Sequence, residues 1–362
     1  MKHFLFKRSI LAFLGILFSI LYFSHTTRIF AHEQYVLTKQ QLQIGMADNS
    51  INVFSALNNS ENFKISLFVG LGIFVTIIAY FCFQYSFLGK KLDKILSSLD
   101  PIGHVFLRVA LGASLIMSAY FHSFLGPEIP VTVLPLTTVL VPIMYVIGTL
   151  LLFGVFTRIV ATVGLLILIA TTFIYGEYIV TYLNYYGEYI ALIVFGSYVL
   201  SIDNKIFGAS SLVKKYKDIE LLIIRVTYGI SVMYPAITIK LLHPKVIVEI
   251  VNEYHLNQIH WLFPQDSVLI SLGTGLAQIL VGAFIIVGFE TRLASLVTFF
   301  LYFLSVIYFK EAVWPHYVLL ALAIYLVLNN GGRHALDYFI GKRFNKDSVR
   351  KKIGGPIKDP LV

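Results

Sequence analysis

The side chains best suited to chemistry are histidines and carboxylates that gather toward one end of the chain's apolar runs. His25, His32, His122, His243, His255, His260 and His316 fall on that end, against His3, His104 and His334 on the other. Imidazole carries protons near neutral pH and is the commonest metal ligand. Glu128, Glu177, Glu188, Glu249 and Glu253 share the histidine-rich end. Tyr175-Gly176-Glu177-Tyr178 recurs as Tyr186-Gly187-Glu188-Tyr189, so Glu177 and Glu188 each have tyrosines beside them. A carboxylate flanked by phenols can exchange protons with a bound ligand, the glutamate as acid or base and Tyr178 or Tyr189 as hydrogen-bond partner. The simpler reading of the same residues is an aromatic belt at a membrane surface, which Tyr120, Trp261, Trp314 and Tyr317 also fit. His122 and His316 lie next to apolar runs, where an ionisable group facing a bundle interior is a functional candidate. His255 and His260 could hold a metal such as copper, but a spacing of five points them to different faces of a helix. His32 would offer both amine and imidazole to copper if cleavage followed Ala31.

These residues are positioned by a chain of 362 residues that is 57% hydrophobic and 13% charged, with a mean hydropathy of +0.80. Soluble domains are about a quarter charged. Apolar runs occupy about 4–23, 63–88, 102–122, 131–153, 157–175, 185–200, 219–241, 267–287, 292–309 and 313–328. A spanning helix needs about 20 residues, and backbone in lipid must bond to itself, so these runs are expected to be helices. The net charge of +9 comes from Lys and Arg concentrated in alternate short loops and in the tail. That is the positive-inside pattern, not a nucleic-acid surface. It predicts an inner (plasma) membrane protein of bacterial type with ten spans and a cytoplasmic C-terminus, the histidine-rich end facing out. Residues 1–31 read either as a cleaved signal peptide, which leaves nine spans, or as a retained anchor. Residues 32–62 are then an outside segment, 63–88 an additional span, and 339–362 a basic tail lying against anionic lipid. Cys82 is the one cysteine, so no disulfide or paired-thiol chemistry is available within the chain.

An internal repeat organises the rest. Gly148 to Arg158 (GTLLLFGVFTR) resembles Gly282 to Arg292 (GAFIIVGFETR), and Ser201-Ile202-Asp203 corresponds to Ala335-Leu336-Asp337 at the same offset. Arg108-Val109 with Gly112 corresponds to Arg225-Val226 with Gly229. Two four-helix units are expected, 102–203 and 219–338, the second with a longer outside loop near 243–266. An even helix number gives both units the same orientation, related by an axis along the membrane normal. Gly154 and Gly288 are expected to end helices in the left-handed conformation, with Thr157 and Thr291 capping the next. Ion pairs Arg158–Asp203 and Arg292–Asp337 are expected to staple helix ends at the cytoplasmic side.

The Arg-x-x-x-Gly first helix, the Gly-x-x-Thr-Arg turn and the Ser-x-Asp after the fourth helix resemble the DoxX family, which includes the DoxD-type small subunit of thiosulfate:quinone oxidoreductase. The likeness covers about 105–203 and 222–338, and the second unit departs from it with Ala335 in place of the serine. The resemblance implies an all-α polytopic bundle and a quinone- or sulfur-linked redox setting, with a soluble or membrane redox partner on the outer face. Quinone is the implied cofactor, with Glu177, Glu188, His122 and His316 as proton-handling candidates and Tyr120, Tyr178, Tyr189 and Tyr317 as head-group contacts. A non-enzymatic scaffold for a soluble redox enzyme and a metal-handling protein are the alternatives. Phosphate-binding loops, nucleophile elbows and Cys-x-x-Cys motifs are absent from the sequence.

Overall fold

A computed structural model describes residues 37–133, 137–197, 199–208, 212–259, 263–309 and 314–342. The expected first span and nearly all of the basic tail lie outside these residues. The elements are α1 (Lys39–Ala47), α2 (Ser60–Tyr85), α3 (Phe87–Ser98), α4 (Asp100–Tyr120), β1 (Ser123–Phe124), β2 (Gly126–Pro130), α5 (Thr137–Phe153), α6 (Thr157–Tyr175), α7 (Leu183–Phe195), α8 (Ile202–Phe207), α9 (Leu212–Pro235), α10 (Pro244–Glu253), α11 (Ser267–Val287), α12 (Thr291–Phe309) and α13 (Trp314–Asn329).

The architecture is a helical membrane bundle. Helices α2, α4, α6 and α11, and α9 with the turn that continues it to Leu241, are long and apolar enough to cross a bilayer. The apolar stretches Thr138–Phe153, Thr291–Ile307 and Trp314–Asn329 are shorter. The run expected at 185–200 folds as the 13-residue α7, preceded by a 3-10 helix at Gly176–Tyr182. Helix α9 ends at Pro235, which has no N–H to continue the ladder, and the chain passes into a π-helical turn at Ala236–Leu241.

The all-α bundle carries one short hairpin. Residues 123–130, inside or beside apolar runs, form a two-stranded antiparallel hairpin. Gly126, Pro127 and Pro130 interrupt helix here, while Phe124, Leu125 and Ile129 are buried and anchor the hairpin in the bundle. The hairpin and the 243–266 insertion lie at one end of the bundle, the Gly154 and Gly288 turns at the other; these are called the hairpin end and the turn end below.

Packing places the two first helices at the centre. Helix α4 packs along α5 and α13, and α9 along α11 and α7. The first helix of each expected unit therefore lies against the last helix of the other. Glycines set the closest crossings. A Cβ on Gly112 would fall 2.7 Å from the Gly148 carbonyl oxygen, and one on Gly229 would fall 2.7 Å from that of Gly282. Small residues let membrane helices approach backbone to backbone.

Helix α2, expected to pack on the bundle, is instead attached at its ends. None of its apolar window is buried within the chain. At the hairpin end Asn62 Nδ2 donates to Asp266 Oδ2 at 2.6 Å and to the Ala56 carbonyl at 3.0 Å. At the turn end Gln84 Nε2 donates to Glu290 Oε1 at 2.9 Å. A helix apolar on all faces suits lipid all round. The preceding segment caps the insertion: α1 packs on α10, and the 3-10 turn Val53–Asn58 on α11.

Candidate functional site

The turn end explains the sequence motif. Gly154 and Gly288 have φ of +64° and +74°, as expected for helix-ending glycines. Each must also lack a side chain, because Arg108 Nη1 and Arg225 Nη1 occupy the space a Cβ would take. Arg108 Nη1 donates to Ser197 Oγ, and its Nη2 to the Leu200 carbonyl at 2.9 Å. Arg225 Nη2 donates to the His334 carbonyl at 3.0 Å. Both arginines are buried, so the charge is carried by hydrogen bonds to the loop after the fourth helix.

The expected pairs Arg158–Asp203 and Arg292–Asp337 do not form. Asp203 accepts from the backbone N–H groups of Phe156 and Thr157 at 2.7 and 2.8 Å. Asp337 accepts from Glu290 and Thr291 at 2.8 and 3.1 Å. Each aspartate thus caps the helix that the threonine was expected to cap, and it also favours the positive end of that helix. Phe156 and Glu290 adopt φ of +46° and +48° to present those amides. Arg158 Nη2 instead donates to the Val194 carbonyl at 3.2 Å. Arg292 pairs with Asp93 of α3, and its Nε donates to the Val327 carbonyl at 2.8 Å.

The polar chemistry of the interior centres on α7. Glu188 is fully buried and neither carboxyl oxygen has a hydrogen-bond partner. Next to it Tyr189, also fully buried, has an unpartnered hydroxyl, and Ser118 Oγ of α4 and Asn184 Nδ2 of α7 are buried and unpartnered too. Tyr185 Oη and Ser114 Oγ of α4 hydrogen-bond at 2.8 Å. Glycines bring the neighbouring helices close: a Cβ on Gly164 of α6 would strike the Tyr189 ring, and one on Gly187 would strike Thr227 of α9. Ser231 of α9 accepts from the Asn184 backbone N–H at 2.7 Å. Buried polar atoms almost always have partners, in protein, water or ligand. Glu188, Tyr189 and Asn184 of α7 each carry a buried polar atom without one in the protein.

The other candidates are dispersed. His316 is buried on α13 with its ring 5.7 Å from Tyr302, and Tyr317 is buried beside it in a cluster with Trp314. Tyr120 and His122 are exposed at the hairpin end, His122 with φ of +51°, and so cannot line the Glu188 interior. Glu177 sits in the 3-10 helix that leads into α7. The Tyr178 hydroxyl lies 3.4 Å from Glu128 Oε1 and donates to it. His255 is exposed, and His260 lies outside the described residues. Among the described residues no three His, Cys, Asp or Glu side chains gather as a metal ion would need.

Sequence reasoning missed one buried pair. His104 Nδ1 of α4 lies 3.1 Å from Glu220 Oε1 of α9, both side chains almost inaccessible. The Tyr325 ring of α13 meets His104 edge-on at 5.2 Å. His104 is a lone histidine within an apolar run, and nothing local marks its partner more than 100 residues on.

Neither curated proteins nor solved structures provide a match to the chain. A family model does match, over the stretch that contains Gly288, Arg292 and Asp337, as the turn motif had led one to expect. It runs from the end of the insertion through α11, α12 and α13 into the tail. Residues 259–355 of this multi-pass membrane protein match the family model described as TQO small subunit DoxD.

Proposed function

We propose that the chain is a membrane subunit of a quinone-linked oxidoreductase and that the α7 face around Glu188 takes the quinone head group. The observation that carries this reading is the fully buried Glu188 carboxyl with no partner, beside the unpartnered Tyr189 hydroxyl. A quinone fits this set. Its carbonyl oxygens are acceptors, and Tyr189 Oη and the neutral Glu188 acid are donors in need of acceptors. The aromatic and aliphatic residues around them suit its ring. Neither Glu188 oxygen is hydrogen-bonded in the protein, and a buried charge left without such bonds is costly, which favours the uncharged acid as the proton-bearing partner of a ligand.

When bound, a quinone supplies two-electron, two-proton chemistry. Tyr189 would hold one oxygen of the head group by donating its O–H to it, and Glu188 would hold a proton within reach of that oxygen. The close α4, α6 and α9 contacts exclude bulk water. Electrons come from a redox partner docking at the hairpin end, a reading that the positive-inside pattern supports by making that end the outer face. In this reading the recurring turn geometry marks two tandem units in parallel orientation. Mass spectrometry of an organic extract tests the proposal. The purified protein is expected to carry about one quinone per chain, falling to the lipid background in Glu188→Leu. Equal quinone in both proteins would contradict it, and the scaffold reading would then take its place.

A further inference from the structure

The hairpin at 123–130 is the largest departure from a plain helical bundle, and it sets one carboxylate over the start of α7. Phe124, Leu125 and Ile129 fix it in the core, at 1%, 0% and 0% exposure. Leu125 adopts φ of +63° to make the turn. Gly126 has no room for a side chain, because a Cβ would collide with the Tyr182 hydroxyl and the Glu128 carboxylate. The backbone is thus shaped to bring Glu128 and Tyr182 together. Glu128 itself is part-exposed.

From Glu128 a file of ionisable side chains leads inward. The Tyr182 hydroxyl donates to Glu128 Oε1, and the Tyr178 hydroxyl approaches the same oxygen at 3.4 Å. The Tyr178 and Tyr182 rings are 6.5 Å apart, and Tyr182 meets Tyr185 edge-on at 5.9 Å. The Tyr185 hydroxyl is hydrogen-bonded to Ser114 Oγ of α4 at 2.8 Å. Along α7, Tyr185, Glu188 and Tyr189 are spaced i, i+3, i+4 and so share a face. Tyr182 and Tyr185 are 5% and 1% exposed, which keeps the file out of lipid and bulk water. The unpartnered hydroxyls of Ser118 and Ser123, both buried, offer sites for bridging water.

We infer that Glu128 is the surface terminus of a proton route to Glu188 that runs through Tyr182 and Tyr185. Each hydroxyl accepts a proton on its oxygen and releases its own to the next through a bridging water where no direct hydrogen bond joins them, so one O–H bond forms for each that breaks and no net charge is left behind. Glu128 exchanges with water at the hairpin end, and the route refills Glu188 after it has given up a proton. The route rests on the proposed function only for the use made of that proton.

Hydrogen–deuterium exchange at Glu188, followed by infrared spectroscopy on the quinone-extracted full chain, tests the route. The acid C=O band of Glu188 is identified by its loss in Glu188→Gln. After transfer to D2O this band is expected to shift rapidly in the unmodified protein and at least tenfold more slowly in Glu128→Gln and in Tyr182→Phe. Both substitutions preserve shape, and unchanged backbone amide exchange in each variant controls for folding. Unchanged exchange at Glu188 in both variants would overturn the inference, and so would the absence of any Glu188 acid band. Because no quinone is present, a failure of the quinone assignment leaves this outcome unaffected.

Discussion

Glu290 shows how one buried side chain at the turn end makes stability depend on pH. Burial, with Asp337 nearby, pushes its carboxyl up to about 8, and burial raises Asp337 as well, against the hydrogen bonds from Glu290 and Thr291. The folded state therefore keeps a proton on Glu290 up to about pH 8, whereas the unfolded chain releases it near the ordinary value of 4.5. Between those values the folded state binds more protons, so stability is full below the lower one and falls as pH rises toward the upper. Thermal unfolding is expected to move down by several degrees from pH 5 to pH 9, and Glu290→Gln should flatten that slope while keeping an acceptor for Gln84. A profile in Glu290→Gln as steep as in the parent would contradict this. The His104–Glu220 pair makes a second prediction at this scale. Replacing either member breaks the buried contact between them, so Glu220→Leu or His104→Leu should destabilise by about 3 kcal/mol or more, while the double substitution costs much less. Additive losses in unfolding measurements would refute the coupling.

At the scale of elements, the turns after α5 and α11 are held by the same three parts: a left-handed glycine, a buried arginine filling the space beside it, and an aspartate capping the next helix. Gly288→Ala meets both a positive φ and the Arg225 guanidinium, and is expected to lose about 2 kcal/mol or more of stability. Asp337→Asn should lose about 1 kcal/mol, since the amide still accepts from backbone N–H groups but without the charge. The reverse order, measured by denaturation in detergent, would contradict this assignment of roles. These turns were legible in the sequence as a recurring Gly-x-x-Thr-Arg with a distant aspartate, because glycine and charge stand out in apolar surroundings. Their bonding was not, because the arginines that matter, Arg108 and Arg225, lie over 40 residues before the glycines they touch. The helices were readable from hydropathy to within a few residues for α4, α6 and α11, whereas the hairpin was hidden because its core residues, Phe124, Leu125 and Ile129, are as apolar as the helices around it. Glu188 and Tyr189 stood out by the repeated Tyr-Gly-Glu-Tyr, but burial alone separates Glu188 from the exposed Tyr120 and His122, and burial is a property of packing.

The whole molecule is tied together by exchange between its halves. Helix α4 rests on α13, with Ala110 and Ala113 against Trp314, Tyr317 and Ala321, and α9 rests on α7. Expressed alone, a chain ending before α9 would expose the α7 face that Thr227 and Ser231 cover. Co-expressed halves divided between 208 and 212 are expected to co-purify as a stable complex, while each half alone aggregates or is degraded. Independent stability of the halves would contradict the exchange. The central claim is that quinone binds within this shared interior, at Glu188, and not on the lipid-facing helices. The most direct measurement is photolabelling of the membrane-embedded protein with an azido-quinone, followed by peptide mapping. Label on α7 between Leu183 and Phe195, displaced by excess unlabelled quinone and lost in Glu188→Leu, is the predicted result. Label confined to exposed apolar surface such as α2, insensitive to competitor, would contradict the account.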